Sequence, residues 1–158
     1  MAVVAHGGAG SGPARQTNLQ VAVDLASKLL LSGASAVEAA VEACVILEDD
    51  PVFNAGTGGV FRIDGSVLLD ASIQTSDGRI GFVIAMKETP NPIRVAADLL
   101  DHNINGLTGD GARSWADDKG HLRRHVDGRP PTEGDGDTVG IIVRDSSGFM
   151  ACATSTGG

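Results

Sequence analysis

Asp137-Thr138-Val139-Gly140-Ile141-Ile142-Val143, taken with Phe149-Met150-Ala151-Cys152-Ala153, is the stretch that decides the fold. Two apolar runs are joined by Asp145-Ser146-Ser147-Gly148, a turn composition, so together they read as a buried hairpin. What precedes them is of another character. From Asp117 to Asp137 apolar residues are nearly absent, Pro130 and Pro131 stand together and charges of both signs mix, which reads as a flexible surface linker. A flexible approach that ends directly on a buried strand singles out the Asp137-Thr138 bond. The Thr138 hydroxyl is a weak nucleophile unless a base sits beside it, and cutting this bond would free the residue's own amino group for that task. An α-amino group titrates near ~7.7–8.0, well placed for proton transfer at neutral pH. The plainer alternative is a threonine that merely opens a strand, as β-branched residues do.

Working outward, Ala2 to Ala5 reads as a buried strand that enters the glycine loop Gly7-Gly8-Ala9-Gly10-Ser11-Gly12-Pro13. Strand, glycine turn and helix invite a phosphate-binding reading, but the spacing refuses it. A phosphate loop would need Lys, and a dinucleotide fingerprint its third Gly, where Pro13 stands. Leu19, Ala22, Val23, Ala26, Leu29 and Leu30 recur at helical spacing up to Ser32-Gly33, and Ser35-Ala36-Val37-Glu38 is a capping box that opens a second helix through about Leu47. After a second glycine loop, Asn54 to Gly59, the runs Val60–Ile63, Ser66–Ala71 and Ile80–Met86 are separated by Asp64-Gly65 and Asp77-Gly78 and read as an antiparallel meander. A third helix is expected from Asn91-Pro92 through Leu100, dissolving in the Asn- and Gly-rich stretch from His102 to Gly111.

Composition limits the remaining choices. The chain has 158 residues, 42% apolar but only 3% aromatic, so its core must be built from Ala, Val, Leu and Ile in closely spaced layers. A net charge of −8 repels phosphate backbones and anionic lipid, which argues against nucleic-acid and membrane partners. No run reaches the ~20 apolar residues that span a bilayer and no secretory leader is evident, so a cytoplasmic protein is expected. Cys44 and Cys152 lie in apolar runs and read as reduced core thiols. Of the four histidines only His121 and His125 have helical spacing, and they fall in the expected linker, where a solvated segment is the simpler reading.

Asp137-Thr138-Val139-Gly140 followed by Thr154-Ser155-Thr156-Gly157-Gly158 resembles the junction region of the plant-type asparaginases, also called isoaspartyl peptidases, among the N-terminal nucleophile hydrolases. His6-Gly7-Gly8-Ala9-Gly10 is similar to that family's opening motif. Leu47-Glu48-Asp49-Asp50-Pro51-Val52-Phe53-Asn54-Ala55-Gly56 resembles its loop after the second helix, and Asp70-Ala71-Ser72-Ile73 its next strand. The resemblance runs over essentially the whole chain.

It implies an α+β fold, an αββα four-layer sandwich incomplete in this chain, and autoproteolysis before Thr138. Residues 1–137 would be the α-subunit segment and 138–158 the first strands of the β subunit. Thr138 would be the nucleophile for the side-chain amide of asparagine or the isopeptide bond of a β-aspartyl dipeptide. Thr156 would hydrogen-bond and tune it, Asn54 would line the site, and Gly7 would lie beside it as a backbone element. No catalytic cofactor is implied. A structural sodium ion would sit on backbone carbonyls of Leu47, Glu48, Asp50, Phe53, Ala55 and Thr57. The expected partners are the small substrate, the remainder of the β subunit and, in the complete protein, a dimer of cleaved heterodimers. Because the resembled proteins continue with strands that bear an Arg and an Asp for the substrate and a Thr-Gly pair for the oxyanion, the 158 residues alone are expected to lack a complete active site. A glycosylasparaginase, which shares the Asp-Thr junction, and an inactive truncated fragment are the alternatives.

Overall fold

In α1 (Gln16–Leu31) Ala22, Ala26 and Leu30 lie one above the next at four-residue spacing and all are buried. The helix ends where Gly33 takes φ +93°, with Gly33 N–H donating to Leu30 and Ala34 N–H to Leu29, a left-handed cap in which glycine pays no Cβ penalty. Ser35 then caps α2 (Ala36–Asp49): its Oγ accepts the Glu38 N–H at 3.1 Å, a bond worth about 1 kcal/mol. Five of the nine buried positions of α2 are small, with Ala36, Ala39, Ala40, Ala43 and Cys44 fully buried. The helix can therefore lie close to both α1 and the sheet. A computed structural model gives these features, and it describes residues 1–10, 12–132 and 137–157.

The strands are β1 (Ala2–His6), β2 (Leu69–Thr75), β3 (Ile80–Met86), β4 (Gly106–Thr108), β5 (Val139–Arg144) and β6 (Met150–Thr156), in one sheet of order β1-β5-β6-β2-β3-β4. All pairs are antiparallel except β3 with β4. The hairpin read at residues 139–153 is thus the middle of the sheet, held by β1 on one side and β2 on the other. Alternation sorts its side chains. Val139, Ile141, Val143, Ala151 and Ala153 are buried in one core with α1, α2, α3 (Pro92–Asp98) and α4 (Gly109–Asp118), whereas Val4, Ile142, Met150 and Ile84 face the other way and are exposed.

Three expectations need correction. Val60–Ile63 is not a strand: only Val60 bridges, to Arg129, and the Asp64-Gly65 turn closes a local loop in which Arg62 N–H donates to Ser66. The meander is two strands, β2 and β3. The stretch from His102 to Gly111 does not simply dissolve, since β4 and the start of α4 occupy it. The helix was masked by its polarity, its buried positions being only Ala112, Arg113 and Ala116. Asp117 and Asp118, assigned by composition to the linker, close α4.

The described part of that linker lies against the body. Arg113, 6% exposed, reaches Asp117 at 2.9 Å, the Glu88 and His121 carbonyls and the Thr89 hydroxyl. Arg123 bridges Glu88 and Asp117, and Val126 is buried beside Val67 and Leu69. His121, for which a solvated place was expected, stacks on Trp115 and sits 2.8 Å from Asp98, while His125 is exposed. Residues 133–136 and the terminal Gly158 lie outside the described residues. Both cysteines are free, Cys44 buried and Cys152 half-buried.

Candidate active site

The register places the junction. Val139 pairs with Ser155 and Gly140 with Thr154, while on the other side of β6 Asp70 pairs with Thr156 and Ser72 with Thr154. Thr138, one residue before β5, therefore stands level with Thr156 and Asp70 on the face turned away from the helices. A pocket of about 290 Å³ opens on this face, and its wall includes Thr138, Thr154, Thr156, Asp70, Ser72 and Phe82. Ser72 and Thr154 hydroxyls share a 2.8 Å hydrogen bond. Asp70 Oδ1 accepts the N–H of Ala85 at 2.6 Å, holding that residue at φ +56° beside the β-bulge of β2.

Asp137 is the other half of the junction. Its carbonyl accepts a hydrogen bond from Thr156 Oγ1 at 3.1 Å. Its side chain is 5% exposed, with Oδ1 accepting the Gly10 N–H at 2.6 Å and Oδ2 standing 3.9 Å from Arg15 Nη1. Gly8, at φ +99°, packs directly on it: a Cβ there would lie 2.4 Å from Asp137 Cβ and Cγ. Any residue larger than glycine would displace the aspartate. The arrangement can polarise one peptide carbonyl through a hydroxyl donor while a second hydroxyl, that of Thr138, stands on the next residue.

The structure brings Thr138, Asp137 and Thr156 together. Gly7 follows His6, whose partner Gly140 is two residues from Thr138, and it is buried there. Asn54 lies at the end of β6 and not in the pocket wall with Thr138: its carbonyl accepts the Gly157 N–H at 2.9 Å and its Oδ1 the Val60 N–H at 3.1 Å. It locks the second glycine loop to the strand that carries Thr156.

The six residues named for a cation run from the end of α2 into that loop. A Cβ at Gly56 would come within 2.5 Å of the Glu48 carbonyl, and one at Gly58 within 2.1 Å of the Phe53 carbonyl. At both positions the chain passes so close to backbone oxygens that only a residue without Cβ fits. Asp50 and Ala55 carbonyls also accept the turn bonds from Phe53 and Gly58. Backbone oxygens suit a hard cation, and among the described residues no three His, Cys, Asp or Glu side chains gather as a metal site. Beneath the loop the Glu48 side chain is fully buried and accepts the Ile93 N–H at 3.1 Å. Burial raises its pKa to about 8.

Gly8, Gly10 and Asp70 stand in motifs quoted from the sequence without an individual role, and Arg15 was not named there. For Arg15 a signal existed, since it is the first cation after the glycine loop and such loops present backbone N–H groups to anions. Asp70 had none beyond its place in Asp70-Ala71-Ser72-Ile73, because its role depends on which strand becomes its neighbour.

A family model described as Asparaginase matches residues 1–126. The isoaspartyl peptidase/L-asparaginase of Mus musculus is 32% identical over all of this chain and 57% of its own length. That of Danio rerio is 35% identical over 99% of the chain and 59% of its own length, and that of Nostoc sp. 32% over 99% and 60%. The chain therefore spans somewhat more than half the length of these relatives. Among the described residues no helix is long and apolar enough to cross a membrane. The mixed α/β fold, one sheet with four helices, fits what these matches establish, namely that the chain belongs to the family of the isoaspartyl peptidase/L-asparaginases.

Proposed function

We propose that the complete protein hydrolyses the side-chain amide of L-asparagine and the isopeptide bond of β-aspartyl dipeptides, after its own chain is cut between Asp137 and Thr138. The observation that carries this reading is the 3.1 Å bond from Thr156 Oγ1 to the Asp137 carbonyl, next to a threonine that lines a pocket. A hydroxyl aimed at one peptide carbonyl withdraws electron density from its carbon. Thr138 Oγ adds to that carbon and the C–N bond breaks. The amino group released takes up the proton, and water then cleaves the ester.

In the cut enzyme Thr138 Oγ attacks the amide carbon of the substrate while its amino group carries the proton to the leaving amine, and water clears the acyl-enzyme. Thr156 stays beside the nucleophile as its hydrogen-bond partner. The names borne by the relatives support the substrate class. The exposed Val4, Ile142, Met150 and Ile84 support a second sheet on that face, which would complete an αββα sandwich with the remainder of the β subunit. A dimer of cleaved heterodimers in the cytoplasm belongs to the same reading. A sodium ion on the carbonyls of Leu47, Glu48, Asp50, Phe53, Ala55 and Thr57 would stiffen the loop and take no part in the reaction.

Intact mass and N-terminal sequencing of the complete protein test the proposal. The expected product begins at Thr138 and releases ammonia from asparagine, and Thr138→Ala is uncut and inactive. A chain that stays whole and still hydrolyses asparagine would overturn the nucleophile assignment.

A further inference from the structure

We infer that Gly8, Gly10 and Arg15 form a carboxylate clamp whose ligand is the side chain of Asp137, and that this clamp aims the Asp137 carbonyl for cleavage. The inference rests on the proposed cut before Thr138.

A carboxylate that is 5% exposed has lost most of its hydration, and it must be compensated where it lies. Two groups do so. The Gly10 N–H donates to Oδ1 at 2.6 Å, a short bond to a charged acceptor, and the Arg15 guanidinium faces Oδ2 at 3.9 Å. Arg15 also immediately precedes α1, a helix of 16 residues whose first backbone N–H groups add positive potential at that end. Gly8 provides the room: with φ +99° and no Cβ it leaves the volume that Asp137 Cβ and Cγ occupy.

The geometry is a gauge for one side chain. Asparagine keeps the shape but not the charge that Arg15 faces. Glutamate adds a methylene where Gly8 already touches Cβ and Cγ. Asp137 is therefore held at two points, its carboxylate by Gly10 and Arg15 and its carbonyl oxygen by Thr156. Together they restrict rotation about the Cα–C bond, so the carbonyl carbon shows one face to the Thr138 hydroxyl. In the step itself Thr138 Oγ–C forms, the Asp137 C–N bond breaks and the hydroxyl proton ends on the Thr138 nitrogen. Water then adds to the ester, leaving a second carboxylate on Asp137 and restoring the Thr138 hydroxyl. Arg15, Gly10 and the Asp137 carboxylate take no proton in this sequence; they are positioning groups.

The test follows cleavage of the complete protein by intact mass, in wild type and in Asp137→Asn, Asp137→Glu, Arg15→Ala, Arg15→Lys and the Asp137→Asn/Arg15→Ala double variant. Misplacing the reacting carbonyl by about an ångström should slow Asp137→Asn, Asp137→Glu and Arg15→Ala on the order of 10²-fold in protein that circular dichroism shows to be folded. Arg15→Lys should retain most of the rate, and added guanidinium ion should restore part of it to Arg15→Ala. The double variant should be no slower than the slower single variant, because the two side chains act as one unit. Wild-type rates in Asp137→Asn and Arg15→Ala would overturn the clamp. So would losses that multiply in the double variant and that guanidinium leaves unchanged. An uncut wild-type chain would instead defeat the cleavage reading, and the clamp with it.

Discussion

Thr156 and Asp137 are joined by a 3.1 Å hydrogen bond in which the side-chain hydroxyl donates to a main-chain carbonyl. The bond exists because β6 pairs with β5 in a register that sets Val139 against Ser155, so the residue before the strand comes level with Thr156. Strand pairing, and not a local turn, brings a donor to this peptide bond.

Thr156→Val keeps the shape of the side chain and removes the donor. Losing one hydrogen bond to a carbonyl that becomes an oxyanion should slow the Asp137-Thr138 cut by about 10²–10³-fold, whereas Thr156→Ser should retain most of the rate. Time courses of intact mass distinguish the two. Equal rates for wild type and Thr156→Val would show that the bond has no part in cleavage.

Gly81→Ala tests how closely the helices approach the sheet. A Cβ at Gly81 of β3 would lie 2.0 Å from the carbonyl oxygen of Ala96 in α3, and a backbone oxygen cannot swing aside. The expected cost is about 1–3 kcal/mol, read as a lower urea midpoint. An unchanged midpoint would mean that α3 does not pack there.

Arg113→Ala should destabilise the protein by about 3 kcal/mol, because it strips the buried Thr89 hydroxyl and two carbonyls of their donor and leaves Asp117 with Arg123 as its cation. Hydrogen exchange should lose protection first at residues 119–124, which Arg113 ties to the Glu88 turn. Uniform loss across the sheet would point to a different anchor for that segment.

Cys44 and Cys152 should differ in reactivity. Burial holds the Cys44 thiol well above its ordinary 9.0, with the nearby Glu48 charge pushing the same way, whereas Cys152 is half-buried and its shift comes from burial alone. The folded chain should therefore react with a thiol reagent at Cys152 first. Because folded Cys44 keeps a proton that the unfolded chain releases near pH 9.0, stability present below that pH should fall as pH rises above it. The slope is at most about 1.4 kcal/mol per pH unit, and it should flatten in Cys44→Ala. Faster labelling of Cys44 than of Cys152 would contradict the burial on which this rests.

What could be read from the sequence was whatever rests on spacing within one element. Apolar recurrence marked α1, the Ser35 cap marked the start of α2, and Asp77-Gly78 and Asp145 to Gly148 marked the two hairpins. Asp145 shows why such turns are legible: its carboxylate accepts the N–H groups of Ser147 and Phe149, only two and four residues away. Val60–Ile63 misled for the complementary reason, since its composition suits a strand but no neighbouring strand takes up its ladder. The linker misled because residues 117–132 carry so little apolar surface that their docking depends on Arg113, Arg123 and His121 meeting charges and carbonyls contributed by other elements.

The sequence by itself determined α1, α2, the two hairpin turns, the family resemblance and the threonine that precedes β5, because helix periodicity, caps and turns act over a few residues. Only the tertiary structure decided that β5 lies between β1 and β6, that Thr156 meets the Asp137 carbonyl, and that Gly8, Gly10 and Arg15 enclose the Asp137 carboxylate. Gly10 and Asp137 are 127 residues apart, and no local preference acts over that distance. What joins them is the burial of one sheet face against four helices, which sets the strand order and so brings the first loop of the chain to the junction at Thr138.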